Sequence, residues 1–195
     1  MRADLFPPLR LATEADGPAL ADLVNFAGEG LPLYLWRRLA APGENPWTIG
    51  AHRQAQRAAA GQTVVVDEGS GVLAAMTGYP IGEDPVPIGD DMLPVLRPLQ
   101  ELENKVPGTW YLNVLATYPR ARGRGFGARL IHFAESHAAA AGHHGVSIVV
   151  ADTNVGARRL YERLGYREIE RAPVIQDDWE TASTEWILLT KAIAS

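Results

Sequence analysis

Residues 110–151, WYLNVLATYPRARGRGFGARLIHFAESHAAAAGHHGVSIVVA, decide how the chain folds. Trp110 to Thr117 reads as a strand, and YPRARGRGFG leads from it into a helix running to about Ala141. Leu130, Ile131, Phe133 and Ala134 give that helix an apolar face. Val146 to Ala151 is an apolar run of strand length. A strand, a crossover helix and a second strand make a parallel, right-handed βαβ unit, because a tight turn cannot join parallel neighbours.

Outward from this unit the pattern is more antiparallel. Upstream, Thr63 to Val66 and Val72 to Tyr79 flank DEGSG, a polar, glycine-bearing connection that marks a hairpin. Ser70 fits that turn better than a nucleophile elbow, since its surroundings are not G-x-S-x-G. Leu9 to Ala12 reads as a first strand. Thr13 follows as a helix N-cap, with Glu14 and Asp16 in the first turn and Leu20, Leu23, Val24 and Ala27 at helical spacing. Further helices are expected over Leu33 to Ala41 and Thr48 to Ala60. Downstream come a helix from Val155 to Leu164, a strand from Tyr166 to Ile175 and a last strand from Thr184 to Thr190.

The expected fold is therefore α/β: a single-domain, mixed, mostly antiparallel twisted sheet with helices on both faces and one central parallel βαβ unit. One domain over 1–195 suits a chain of 195 residues. Within it, 80–108 reads as a proline-rich insertion that shapes a pocket, with a short helix near Leu96 to Lys105.

Chemistry concentrates at the strand-to-helix junction. Arg120 to Arg129 holds four arginines, three glycines and no acid, inside a chain of formal charge -5. Gly123, Gly125 and Gly127 let backbone N–H groups approach a ligand, and the positive end of the helix dipole points the same way. Such a loop suits a di-anion such as pyrophosphate. A P-loop would need GK[ST] after the glycines, and none is present. The dinucleotide pattern G-x-G-x-x-G/A is formally met by Gly123, Gly125 and Ala128, with Asp152 placed to meet a ribose. However, TYPRAR intervenes between strand and glycine, and too little chain remains for further βαβ units.

RARGRGFGA also contains R-x-x-G-x-G through Arg122, Gly125 and Gly127, and so resembles the pyrophosphate loop of the GCN5-related N-acetyltransferases (GNAT). TNVGARRLYERLGYRE resembles that family's next motif, with Asn154, Ala157, Leu160, Tyr161, Gly165 and Tyr166 at its spacing. The likeness spans about 109–170, the acetyl-CoA-binding core. It implies an acetyl-CoA-dependent enzyme moving an acetyl group directly from thioester to amine. The backbone of Leu115, Ala116 and Thr117 would face the pantetheine. Amides of Gly123, Arg124, Gly125, Phe126, Gly127 and Ala128 would hold the pyrophosphate, and Asn154 and Ala157 would flank the cofactor arm. Tyr161 would protonate the departing thiolate.

Thioester aminolysis asks for the same parts. A preorganised N–H stabilises the developing oxyanion by roughly 2.7 to 4 kcal/mol, and Leu115 N–H is the candidate. An alkylammonium, with a pKa near about 10.4, must also lose a proton. Tyr111 stands where one branch of the family carries a glutamate. A tyrosine is a poor base at neutral pH, so Tyr111 is expected to position a water, with Asn113, or to line the pocket. Without a dedicated carboxylate, low-pKa acceptors are favoured.

Other features are weaker. Asp90, Asp91, Glu101 and Glu103 in the insertion, and Asp177, Asp178 and Glu180 before the last strand, would attract a cationic amine, although such acids are ordinarily solvated. His52, His132, His137, His143 and His144 form no HExxH or i, i+4 pair, and no metal is expected. Trp36, Trp47, Trp110, Trp179 and Trp186 read as core and sheet packing. The chain has no cysteine, which excludes disulfides and thiol chemistry of its own. Its acidic balance argues against broad nucleic-acid binding, and no stretch of membrane-spanning length is apolar throughout. MRADLFPPLR lacks a signal's apolar core, so a cytoplasmic protein is expected. The expected partner is a small-molecule or peptide amine, with a homodimer left open. An acyl-CoA-binding sensor without catalysis and a dinucleotide oxidoreductase are the alternatives.

Overall fold

The computed structural model describes residues 4–193. Among these residues seven strands are present: β1 (Leu9–Leu11), β2 (Thr63–Asp67), β3 (Val72–Pro80), β4 (Trp110–Thr117), β5 (Gly145–Ala151), β6 (Arg167–Pro173) and β7 (Glu185–Ala192). They form one mixed sheet in the order β1-β2-β3-β4-β5-β7-β6. Six α-helices accompany them: α1 (Gly17–Ala27), α2 (Leu31–Leu39), α3 (Pro46–Ala59), α4 (Arg97–Glu103), α5 (Phe126–Ala141) and α6 (Val155–Arg163). Among the described residues no helix is long and apolar enough to cross a membrane.

Helix starts differ from the sequence reading where proline or a side-chain acceptor decides. Thr13 opens a 3₁₀ turn, Glu14–Asp16, and α1 begins only at Gly17. Asp16 ends that turn because its carboxylate accepts from the Thr13 N–H at 2.7 Å and from Arg10 at 2.7 and 2.9 Å. Helices α2 and α3 each begin two residues earlier than expected. Pro32 and Pro46 lie in their first turns, where a missing N–H is harmless.

The chain divides into two compact units, the first ending at Gly78 and resuming over Val114–Phe133. In this unit β1 and β2 pair antiparallel, as do β2 and β3. The hairpin turns on Asp67, whose Oδ1 accepts from Gly69 and Gly71 N–H. Leu20, Leu23, Ala58, Val65, Ala75 and Ala116 form its buried cluster.

The second unit comprises Tyr79–Asn113 and the chain from Ala134 onward. Here β4 runs parallel to β5 through Trp110↔Val146 and Tyr111↔Ser147, and both strands continue past these pairs. The last strand, β7, is antiparallel to β5 from Gly145↔Ala192 to Ala151↔Trp186 and also pairs with β6. Helix α4 packs on β6 and β7. Thr109 and Ser147 hydroxyls, 2.8 Å apart, satisfy each other in the interior.

Candidate functional site

The loop before α5 is shaped by its ends. Tyr118 N–H donates to Leu73 O at 3.0 Å, and its hydroxyl donates to Ala19 O at 3.2 Å. Burial and Asp22 push that hydroxyl up to about 12. After a 3₁₀ turn at Pro119–Ala121, Gly123 and Gly125 take φ of 76° and 79°, a region that disfavours any Cβ. Among the described residues, the amides from Gly123 to Ala128 have no backbone carbonyl partner. Helix geometry leaves the last of them, Phe126 to Ala128, orphaned in the first turn of α5, and the preceding Gly123, Arg124 and Gly125 are exposed. Gly123, Arg124 and Gly125 are exposed, whereas Phe126 is buried and anchors the helix start.

The arginines are less available than their number suggests. Arg124 donates to both oxygens of Glu68 at 2.7 Å and lies 4.7 Å over Phe126. Arg129 reaches Pro7 O at 3.0 Å, Arg120 lies 4.5 Å over Tyr118, and Arg122 lies 5.0 Å over the half-exposed Phe26 ring. Glu68 therefore offsets part of the loop's charge. Glu68→Gln should release Arg124 and tighten acetyl-CoA binding by about 2- to 5-fold at low salt, the size of an exposed ion pair. Calorimetry at two salt concentrations checks this, with the gain shrinking as salt rises.

In strand β4, half-buried Asn113, Leu115 and Thr117 alternate with buried Val114 and Ala116. Leu115, Ala116 and Thr117 thus belong to the same unit as the loop that follows them.

The other candidates belong to the second unit. Asn154 caps α6 by accepting from Ala157 N–H at 3.2 Å, leaving its amide nitrogen to donate elsewhere. Tyr161 is 3% exposed, with its ring 6.0 Å from Tyr166. Burial pushes its hydroxyl well above the ordinary tyrosine value, so it holds its proton at neutral pH. Tyr111 is equally buried, and burial followed by the Glu103 and Tyr79 charges raises its pKa further, which leaves it protonated too. Asp152 is committed: it accepts from Thr184 N–H and Oγ1 and from Thr153 N–H, which hold its carboxyl below the usual range despite the opposing effect of desolvation. The carboxylate that the dinucleotide reading gives to a ribose instead ties β5 to the start of β7.

Two residues escaped sequence reasoning as a pair. Tyr79 hydroxyl meets both oxygens of Glu103 at 3.1 Å, and the Tyr79 and Tyr111 rings are 5.3 Å apart. Sequence reading found no carboxylate at the Tyr111 position of the strand. The structure brings one from the end of α4 onto Tyr79, the tyrosine whose ring neighbours Tyr111. Of the insertion's acids, Asp90, Asp91 and Glu101 are exposed, and Glu103 alone is half-buried among the four considered. No sequence signal separates it from them. No group of three His, Asp or Glu side chains among the described residues is placed to hold a metal.

A mixed seven-stranded sheet with one parallel pair, and a glycine-rich strand-to-helix junction after its fourth strand, define the architecture as α/β. The model of the acetyltransferase (GNAT) family matches residues 32–166, and the chain belongs to that family; it is an acetyltransferase. Solved structures share the fold. A mosquito arylalkylamine N-acetyltransferase like 5b is 17% identical with a TM-score of 0.68, the match covering 95% of this chain and 99% of that one. A Drosophila melanogaster polyamine N-acetyltransferase is 17% identical, TM-score 0.64, over 95% and 99%. A ribosomal-protein-alanine N-acetyltransferase from Brucella melitensis is 19% identical, TM-score 0.61, over 95% and 99%. No curated protein sequence matches the chain.

Proposed function

We propose that the protein transfers an acetyl group directly from acetyl-CoA to the amine of a small-molecule or peptide acceptor. The observation that carries this is the run of amides from Gly123 to Ala128 without backbone partners, held by two left-handed glycines at the start of α5. These amides fit a pyrophosphate: they donate, Gly123 to Gly125 are exposed, and the helix dipole adds to them. Acetyl-CoA, when bound, supplies the activated acetyl group.

The chain's own groups then have separate tasks. Leu115 N–H is the donor proposed for the charge that develops on the carbonyl oxygen, with Ala116 and Thr117 backbone alongside the cofactor arm. Asn154 and Ala157, joined by the cap at α6, are assigned to the same arm. Tyr161 keeps its proton at neutral pH and is proposed to donate it to the leaving sulfur. Tyr111, protonated and buried, positions groups around it and is not the base.

The three solved neighbours are named for an arylalkylamine, a polyamine and a ribosomal-protein alanine as acceptors. One fold therefore accompanies very different amines, and the acceptor must be read from the site. Titration with acetyl-CoA, a pantetheine thioester lacking the diphosphate, and NADH tests the reading. Acetyl-CoA should bind far more tightly than either of the others. Preference for NADH would establish the dinucleotide alternative, and tight acetyl-CoA binding without CoA release across an amine panel would establish a sensor.

A further inference from the structure

We infer that Phe6 and Arg129 form the subsite for the nucleotide end of acetyl-CoA, with the adenine stacking on the Phe6 ring and the ribose 3′-phosphate meeting the Arg129 guanidinium. The inference rests on the acetyltransferase reading and extends its cofactor site to a segment that precedes residues 32–166, the part of the chain that matches the family.

Direction along the chain decides where that end of the cofactor goes. Acetyl-CoA carries its pantetheine arm on one side of the diphosphate and adenosine 3′-phosphate on the other. With the arm proposed along Leu115 to Thr117, before the loop, the adenosine is left to the α5 side of the amides. Arg129 is the first exposed residue past them, since Gly127 and Ala128 are half-buried. Its N–H donates to Gly125 O at 3.0 Å, so it stands one helical turn, about 6 Å along the axis, beyond the second left-handed glycine. Helical Cα–Cβ bonds tilt toward the helix N-terminus, which starts this side chain in the direction of the loop.

The guanidinium is both anchored and available. Nη2 of Arg129 donates to Pro7 O at 3.0 Å, which fixes the group in place. A guanidinium presents several N–H donors in a rigid fork that suits phosphate oxygens, and the bond to Pro7 uses one of them. Arg124 gives its charge to both oxygens of Glu68, whereas among the described residues no carboxylate pairs with Arg129.

Phe6 is 67% exposed. One exposed apolar side chain is ordinary in itself. This one sits on backbone held at three successive carbonyls. Phe6 O accepts from Leu9 N–H at 2.9 Å, Pro7 O accepts from Arg129, and Pro8 O accepts from Asp67 N–H at 2.9 Å. The first bond ties the segment to β1, the second to α5 and the third to the end of β2, all within the first unit. An aromatic side chain on backbone fixed in this way has little left to order when a ligand settles on it. Ring and guanidinium are one residue apart along the segment, a spacing that a base and its own ribose phosphate can span. Every base offers a flat face for stacking on such a ring, and the phosphate beside it supplies the charge that Arg129 lacks.

Calorimetry on the whole chain compares acetyl-CoA, acetyl-dephospho-CoA, which lacks the 3′-phosphate, and acetyl-phosphopantetheine, which lacks the adenosine. Wild type should prefer acetyl-CoA to its dephospho form by about 5-fold, the upper end for an exposed charge pair. Phe6→Ala should weaken both adenosine-bearing ligands by about 5- to 100-fold, the range for one base on an aromatic ring, and leave acetyl-phosphopantetheine unchanged. Arg129→Gln, whose amide can still donate to Pro7 O, should bind acetyl-CoA and its dephospho form equally. Leu39→Ala removes a comparably exposed apolar side chain from α2 and should match wild type. Wild-type affinity in Phe6→Ala, an equal loss for acetyl-phosphopantetheine, or a 3′-phosphate preference that survives in Arg129→Gln overturns the inference while the acetyltransferase reading stands. Failure of the wild type to bind acetyl-CoA at all would refute that reading and the inference with it.

Discussion

Gly125→Glu should abolish acetyl-CoA binding while leaving the protein folded. Gly125 is exposed at φ 79°, with nothing within 4 Å of where a Cβ would stand. A side chain therefore meets no steric obstacle in the folded protein, and the melting temperature should move little beyond the left-handed penalty of about 1–2 kcal/mol. Binding is a different matter. The new carboxylate would stand among the amides proposed to receive two phosphate charges, competing for the same donors and repelling the ligand. Gly125→Ala separates the two effects, since it adds the backbone penalty without charge. It should weaken binding modestly, whereas the glutamate variant should show no heat of binding in calorimetry. Equal affinity of wild type and Gly125→Glu would remove the loop from the cofactor site.

Tyr161→Phe should lower kcat by about 10²- to 10⁴-fold with acetyl-CoA affinity almost unchanged. The ring is buried against Tyr166, so phenylalanine keeps the packing and deletes only the hydroxyl. Burial has two consequences of opposite sign for an acid. It guarantees that the proton is present at neutral pH, and it makes release of that proton harder. The loss is therefore expected toward the lower end of the range. Single-turnover measurements, in which product release does not limit the rate, give the clean comparison. A wild-type rate there would make Tyr161 a packing residue.

These two experiments address residues that local pattern exposed. The Tyr79–Glu103 pair is one that it did not expose, and the contrast follows from chain separation. Asn154 and Ala157 are three residues apart and form a cap, the kind of relation that helical spacing encodes. Tyr79 and Glu103 are 24 residues apart, on a strand and at the end of a helix, with a proline-rich segment between them. Arg124 and Glu68 are 56 apart. Sequence reading counted the loop's arginines as one positive block because the acid that tempers them lies on a distant hairpin.

What the sequence by itself determined is the βαβ unit and the loop within it. The limits expected for β4, Trp110 to Thr117, are those found, and α5 ends at Ala141 as expected. Apolar runs of strand length, a helical apolar face and glycines between them are local causes, and they act before any distant contact forms. Tertiary structure alone decided that β7 lies between β5 and β6, pairing with both. Residues Arg167–Pro173 are mostly exposed and Glu185–Ala192 mostly buried, but the identity of each strand's neighbours is set by the shared hydrogen-bond register. It likewise chose Glu103 from among several acids, because half-burial and a tyrosine hydroxyl on both oxygens arise from packing. A carboxylate's neighbours are set by where the sheet carries them, and spacing along the chain leaves no trace of that.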